Sequence, residues 1–260
     1  MPEASIETVA QYWNRRPCNI RHSQAPIGSK TYFDEVEARK YFVEPHIPAF
    51  ADFARWNDKR VLEIGCGLGT DAVNFARAGA EYTGVELSEV SLDLARQRFD
   101  LFNLNGTLIH ADAEHLDQHV RRASFDLIYS FGVIHHTPNP DAILRQARRA
   151  IRPDGEFRLM LYARDSWKDC MIEAGYDQPE AQSGCPIART YTQAEVRALL
   201  RANDFGAVSI TQAHIFPYVV EKYLAYDYAL QPWFAAMPQE MFRALERRFG
   251  WHMLIVAKPG

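Results

Sequence analysis

The tightest constraint on the fold lies between residues 60 and 79. A short apolar run, Arg60 to Ile64 (RVLEI), delivers into Gly65-Cys66-Gly67-Leu68-Gly69, where every second residue is glycine. Thr70 and Asp71 then act as a cap signal for a segment of helical period that stops near Gly79. A strand that turns through glycines into a helix lets the main chain approach a ligand with no Cβ in the way. The spacing is GxGxG, which differs from the GxGxxG of dinucleotide-binding turns. Taken alone, such a turn is also compatible with a plain tight connection between strand and helix.

The rest of the chain repeats the alternation. Tyr82 to Glu86 (YTGVE) reads as a second strand, and Ser88 as the cap of a helix with an apolar stripe at Leu92, Ala95, Phe99 and Phe102. Thr107 to His110 forms a third strand, and Phe125 to Phe131 (FDLIYSF), apolar and aromatic-rich, a fourth. Asn139 and Pro140 start a helix striped by Ile143, Leu144, Ala147 and Ile151. It ends at the turn Pro153-Asp154-Gly155 before a strand at residues 156–162. Further on, residues 193–201 read as helix, 207–211 as strand and 251–257 as a final strand, with inserted helices expected between 214 and 250. Strands and helices in this order imply a parallel sheet covered on both faces. Ligands of such sheets bind beyond the carboxyl ends of the strands, and Glu86, some ~20 residues past the glycine turn, is a carboxylate suited to a ribose diol. That pairing fits a nicotinamide or an adenosyl ligand equally.

Composition narrows the partners. The 260 residues are 47% hydrophobic, enough for one sizeable α/β core, and the formal net charge of −4 offers no basic field for a nucleic-acid backbone. A small acceptor is therefore expected, and no nucleic acid. Two arginine groups, Arg145, Arg148, Arg149 and Arg152, then Arg243, Arg247 and Arg248, fall at helical spacing and read as solvated faces. Cys18, Cys66, Cys170 and Cys185 are widely spaced, with no metal-ligand pattern, so neither a metal site nor a disulfide framework is expected. No segment approaches ~18 continuous apolar residues, and the amino terminus lacks an apolar leader core, so the chain reads as cytoplasmic and not membrane-bound.

Five motifs in order separate the nicotinamide from the adenosyl reading. They are VLEIGCGLGTD (Val61 to Asp71), GVELS (Gly84 to Ser88), ADAEHL (Ala111 to Leu116), FDLIYSFGVIHHT (Phe125 to Thr137) and LRQARRAIRPDGEFRLMLY (Leu144 to Tyr162). Together they resemble the class I S-adenosylmethionine-dependent methyltransferases over roughly residues 59–162. The segments YWNRRPCNIRHS and EPHIPAFADF resemble those of small-molecule methyltransferases of bacteria. The resemblance implies a Rossmann-like, doubly wound, mostly parallel seven-stranded sheet with an antiparallel last strand and helical insertions forming a cap. It also implies a helical lid over residues 1–58, a methyltransferase domain over 59–260, and insertions at about 163–190 and 214–250.

Residue by residue, the resemblance assigns the floor under the methionyl part of the cofactor to Gly65, Gly67 and Gly69. Glu63 would orient that loop or meet the amino group. Glu86 would take the ribose hydroxyls, Leu87 the adenine face, Asp112 the adenine amino group, and the Ala113 amide the ring. Phe131 or Ser130 would contact the methionine moiety. Methyl transfer from a sulfonium needs alignment and exclusion of water more than it needs a base. Where an acceptor proton must leave, His135 and His136, just past the fourth strand, are the candidates. Tyr12, Trp13, Arg15, Arg16 and Arg21 would belong to the lid. Tyr32, Tyr41, His46, Cys185, His214, Tyr218, Tyr223, Tyr226, Tyr228 and Trp233 make an aromatic-rich cap for an acceptor, or bury the inserted helices. A homodimer through that cap is conceivable. Three other functions stay open: a non-methylating cyclisation or decarboxylation on the same cofactor, a nicotinamide-dependent oxidoreductase, and a pure binding module.

Overall fold

The computed structural model describes residues 4–176 and 184–260. Of the insertion expected at 163–190, residues 177–183 thus lie outside the described residues. The strands are β1 (Arg60–Ile64), β2 (Glu81–Glu86), β3 (Thr107–His110), β4 (Phe125–Phe131), β5 (Ile151–Ala163), β6 (Thr190–Tyr191), β7 (Phe205–Ala213) and β8 (His252–Pro259). They form one sheet in the order β3-β2-β1-β4-β5-β8-β7, with the two-residue β6 pairing on β5 as an eighth member beyond the seven expected. Since β8 is antiparallel to both β5 and β7, it alone runs against the rest. The order reverses between β1 and β4, so a crevice opens at their carboxyl ends.

Each face of the sheet carries its own core because side chains alternate along a strand. Leu62, Ile64 and Ile128 point to one side, where they pack with Ile143, Leu144 and Ala147 of α6 (Pro140–Ala150). Val61, Leu127 and Tyr129 point to the other, against Ala72, Val73 and Phe75 of α4 (Thr70–Arg77). The remaining helices are α1 (Ile6–Arg15), α2 (Lys30–Val43), α3 (Ile47–Ala51), α5 (Glu89–Leu101), α7 (Trp167–Glu173), α8 (Gln193–Ala202), α9 (Val220–Leu224), α10 (Pro232–Ala235) and α11 (Gln239–Phe249). None among the described residues is long and apolar enough to cross a membrane.

Local signals mostly act as read. Ser88 caps α5 by accepting from the Ser91 amide, and Leu92, Ala95 and Phe99 are buried beneath it. The amide of Ala142 donates to Asn139, with Pro140 in the first turn of α6. Two readings are corrected. Thr70 and Asp71 do not cap α4: Gly69 occupies the cap position in the left-handed conformation (φ 73°), and both side chains turn inward, Asp71 to three donors. Ile151 is no part of the helical stripe; it is already extended and pairs with Phe125, while the next pair is Glu156 with Leu127. The Pro153-Asp154-Gly155 turn is thus an excursion inside a longer β5. Of the arginines read as solvated, Arg145 is exposed. Arg148 and Arg149, however, donate to the carbonyls of Asp204 and Val120 and tie α6 to its surroundings.

The segment ahead of β1 folds back over the crevice. Asn14 of α1 accepts from the Ser88 hydroxyl (2.9 Å), which fastens α1 to the start of α5. Tyr32 donates to the Ile20 carbonyl (2.9 Å) and Tyr226 to that of Arg21 (2.7 Å), so the turn-rich stretch between α1 and α2 is held from two sides. The guanidinium of Arg39, buried on α2, donates to the Tyr223 carbonyl (2.7 Å) and lies over the rings of Tyr223 and Tyr226 at 4.3 and 3.9 Å. This cation–π cage joins the amino-terminal segment to the 214–250 insertion.

Candidate functional site

The glycine turn is shaped by its own backbone. The amides of Gly65 and Cys66 both donate to the Val85 carbonyl (2.7 and 3.2 Å), and Gly67 donates to Glu86 Oε2 (2.8 Å). Gly65 has φ 77°, and a Cβ there would lie 2.3 Å from Val133 Cγ2; a Cβ on Gly67 would meet nothing within 4 Å. Gly65 is thus glycine because of a neighbour, and Gly67 leaves space above the loop. For Gly65→Ala the left-handed backbone and the overlap together cost about 2–5 kcal/mol of stability. A urea unfolding midpoint should fall accordingly, and a loss below ~1 kcal/mol would mean the loop yields freely.

Glu86 is buried at the end of β2. Its Oε1 accepts from the Ser88 amide and its Oε2 from Gly67, both at 2.8 Å, so two of about four acceptor positions remain. Burial pushes its pKa up, opposed by those backbone amides. Asp112 caps the short helical turn Ala113–Gln118, accepting from the Glu114 amide with Oδ1 (2.9 Å). One deep cavity is lined by Gly65, Gly67, Glu86, Leu87, Asp112, Ala113 and Phe131, the ends of all four strands from β3 to β4. It runs on past Trp13, His136, Tyr162 and Trp251 towards Lys40, Glu44, His214 and His252. The amino-terminal segment contributes Ile6, Val9, Trp13, Cys18 and His22 to its wall.

Four of the residues singled out from the sequence sit behind this wall. Gly69 packs against Ala95 on the helix side. Ser130 donates to the Ile64 carbonyl (3.2 Å). Glu63 accepts from the Tyr82 hydroxyl (2.6 Å); burial and then the nearby Asp71 push its pKa up to about 8. His135 is fully enclosed, its ring 3.7 Å from that of Tyr162 and 4.3 Å from that of His136, and neither ring nitrogen has a hydrogen-bond partner among the described residues. His136 does line the cavity. Its Nδ1 lies 2.6 Å from the Ile187 carbonyl, which can only accept, so the proton sits on Nδ1 and Nε2 keeps its lone pair. Burial lowers its pKa to about 4, leaving a neutral imidazole at pH 7 with Trp13 edge-on at 5.3 Å.

Further residues support the site in roles the sequence reading did not give them: Asp71 was read as a helix cap, Tyr41, His46 and His214 as parts of an aromatic cap, and Lys40, Tyr129 and His252 were not singled out. Asp71 accepts from Lys40 (2.7 Å), Tyr41 (2.9 Å) and Tyr129 (3.0 Å), a buried polar cluster under the glycine turn that joins α2, α4 and β4. Its signal was weak: an acidic residue in a first turn normally faces solvent. His46 Nε2 stands 3.0 Å from His252 Nδ1, and the rings of His214 and His252 stack at 4.6 Å. Single histidines in three distant segments carry no pattern that sequence can show.

Comparison with known proteins agrees with this geometry. A methyltransferase-domain family model matches residues 61–155. The 27-O-demethylrifamycin SV methyltransferase of Amycolatopsis mediterranei is 32% identical over 101 residues, 38% of this chain and 37% of that protein. A ubiquinone biosynthesis O-methyltransferase of Neisseria meningitidis serogroup A is 34% identical over 131 residues, 48% of this chain and 50% of the relative. The chain thus spans at most about half the length of these curated relatives. Among solved structures, the magnesium protoporphyrin IX methyltransferase of Synechocystis PCC 6803 with bound SAH superposes with a TM-score of 0.63 at 16% identity, covering 98% of this chain and 99% of that one. The cyclase SpnF superposes as well, with a TM-score of 0.62 at 17% identity over 100% and 98% of the two chains. At such identities the superpositions establish the fold alone. With the ordered motifs, the strand order and the matched family taken together, residues 61–155 are a methyltransferase domain of the class I, S-adenosylmethionine-dependent kind.

Proposed function

We propose that this chain transfers a methyl group from S-adenosylmethionine to a small-molecule acceptor held under its aromatic cap. The observation that carries the reading is Glu86. Its carboxylate is set by two backbone amides in the same cavity wall as Gly67, Asp112 and Ala113, with acceptor positions left over for a diol. These residues fit an adenosyl group: open space over Gly67, a carboxylate at each of two strand ends, and the apolar Leu87 in the same cavity wall. S-adenosylmethionine supplies an electrophilic methyl on sulfur. Gly65, Gly67 and Phe131 bound the methionyl end, Glu86 takes the ribose hydroxyls, and Leu87, Asp112 and Ala113 take the adenine. Glu63 and Gly69 act from behind, by holding β1 and the start of α4 in place.

His136 is the residue to receive or orient an acceptor proton, because its Nε2 lone pair belongs to a ring fixed through Nδ1. His135 positions it by packing against both it and Tyr162. Residues 1–58 serve as the lid, with Trp13 against His136 and α1 pinned to Ser88, so that water is kept from the reacting sulfur.

Calorimetric titration with S-adenosylmethionine, S-adenosylhomocysteine and NAD tests the reading. Micromolar binding of both adenosyl ligands is expected, with none of NAD. Asp112→Ala should weaken it about 10-fold or more, one hydrogen bond to a charged group being ~1.5–3 kcal/mol. Binding of NAD instead, or of no ligand, would sink the reading. Incubation with methyl-labelled cofactor and candidate acceptors separates methyl transfer from a cyclisation on the same fold, since only the former moves the label.

A further inference from the structure

The far end of the cavity is built from groups that no part of the cofactor reading uses. Glu44 follows α2 as its carboxyl-terminal cap, His214 follows β7, and His252 opens β8 beside it, opposite Ala213 in the ladder. Each offers one ligand atom, and the three atoms lie within 4.8 Å of one another. His252 Nε2 and Glu44 Oε1 are 3.6 Å apart. Donors ~2.0–2.2 Å from one ion stand roughly 3–4 Å apart, so side-chain rotations of about 1 Å would close the set.

Two features distinguish this from a chance meeting of polar groups. With Nε2 turned to Glu44, His252 has its other nitrogen 3.0 Å from His46 Nε2, the outer hydrogen bond that fixes the orientation and tautomer of a metal-bound imidazole. His214 is held at φ 71°, a left-handed backbone that costs a non-glycine residue about 1 kcal/mol, and the Trp251 amide donating to its carbonyl (2.8 Å) keeps it there. All three donors line the cavity that Glu86 and Asp112 also line, and Phe131 lines it too, its ring 5.5 Å from that of His252.

We propose that Glu44, His214 and His252 bind one divalent first-row transition-metal ion, zinc(II) or iron(II) by the chemistry of the donors, with His46 as the outer partner. Three protein ligands leave at least one coordination position towards the cavity. Resting on the methyl-transfer reading, that position takes the acceptor through an ionisable oxygen or sulfur, which the ion holds as the anion once its proton has passed to solvent.

The test is a cobalt(II) titration of the metal-stripped full chain, read by visible d–d absorption and followed by zinc(II) competition. One cobalt per chain is expected, displaced by zinc. Glu44→Gln and His252→Gln should each lose at least about 100-fold in affinity. His46→Gln should lose about 10–100-fold, the range of an outer-partner defect. His119→Gln, at an exposed position outside the cavity lining, should lose nothing, and circular dichroism checks that each variant is folded. No stoichiometric cobalt binding to the wild type, or binding that survives both Glu44→Gln and His252→Gln, overturns the site. S-adenosylhomocysteine titrated into the same wild-type sample keeps the two readings apart: adenosyl binding without cobalt removes the metal site alone, and the reverse removes the methyl-transfer reading alone.

Discussion

Replacing Glu86 by Ala is expected to weaken S-adenosylhomocysteine binding by at least 100-fold while leaving the chain folded. The carboxylate sits at the end of β2, where both oxygens already hold backbone amides and keep capacity for two more donors. Two ribose hydroxyls donating to a charged acceptor contribute about 1.5–3 kcal/mol each, and 100-fold in affinity is ~2.7 kcal/mol. Removing the side chain also frees the Gly67 and Ser88 amides, which loosens the glycine turn against β2. Glu86→Gln should fall between, since it retains one acceptor oxygen but turns an amide N–H₂ towards backbone donors. Isothermal titration of both variants, with melting curves to show they are folded, makes the comparison. An Ala variant within 10-fold of wild type would mean that Glu86 only shapes the loop.

The largest expected effect on stability is at Arg98. This side chain is fully buried on α5. It donates to Thr70 Oγ1 (2.7 Å) on α4, and to the Phe33 carbonyl (3.1 Å) and Glu37 Oε2 (2.8 Å) on α2, and it lies over the Phe33 ring. One planar fork therefore ties three helices together, and Ala in its place leaves a void, takes the charged donor from the Thr70 hydroxyl and removes the second donor of a helix carbonyl. Breaking a buried ion pair from one side costs about 3–5 kcal/mol. At a few degrees per kcal/mol for a chain of this size, the melting temperature should drop on the order of 10 °C. Arg98→Lys should rescue little, as one ammonium cannot reach three separated acceptors. Glu37→Gln keeps an acceptor oxygen and leaves the Arg98 bonds to Thr70 and the Phe33 carbonyl in place, so it should cost less than Arg98→Ala. Equal losses for the two would place the energy in the ion pair and not in the three-way fork.

Local features of the chain were legible because each arises from a few neighbouring residues. The strands β1 to β4, the capping by Ser88 and Asn139, and the glycine turn all follow from periodicity and backbone chemistry within a short window. Where reading failed, a partner distant in sequence was responsible. Asp71 looked like a capping residue until Lys40, Tyr41 and Tyr129 drew it inward, and Ile151 looked helical until Phe125 paired with it.

The site divides in the same way. Gly65, Gly67, Glu86, Leu87, Asp112, Ala113 and Phe131 meet in one wall because a parallel sheet brings every strand end to the same edge, a rule that needs only the order of elements. Glu63 and His135, equally prominent in the motifs, turn to the other side of that wall, since side-chain direction on a strand or tight turn depends on what packs against it. By itself, the sequence determined the sheet, the glycine turn and the run of strand-end residues, all matters of local backbone preference. Only the tertiary structure decided that His136 faces the cavity and that Glu44, His46, His214 and His252 come together at its far end. Those encounters depend on β8 running back between β5 and β7 and on α2 folding across the crevice, and the energy of such long-range packing leaves no periodic trace along the chain.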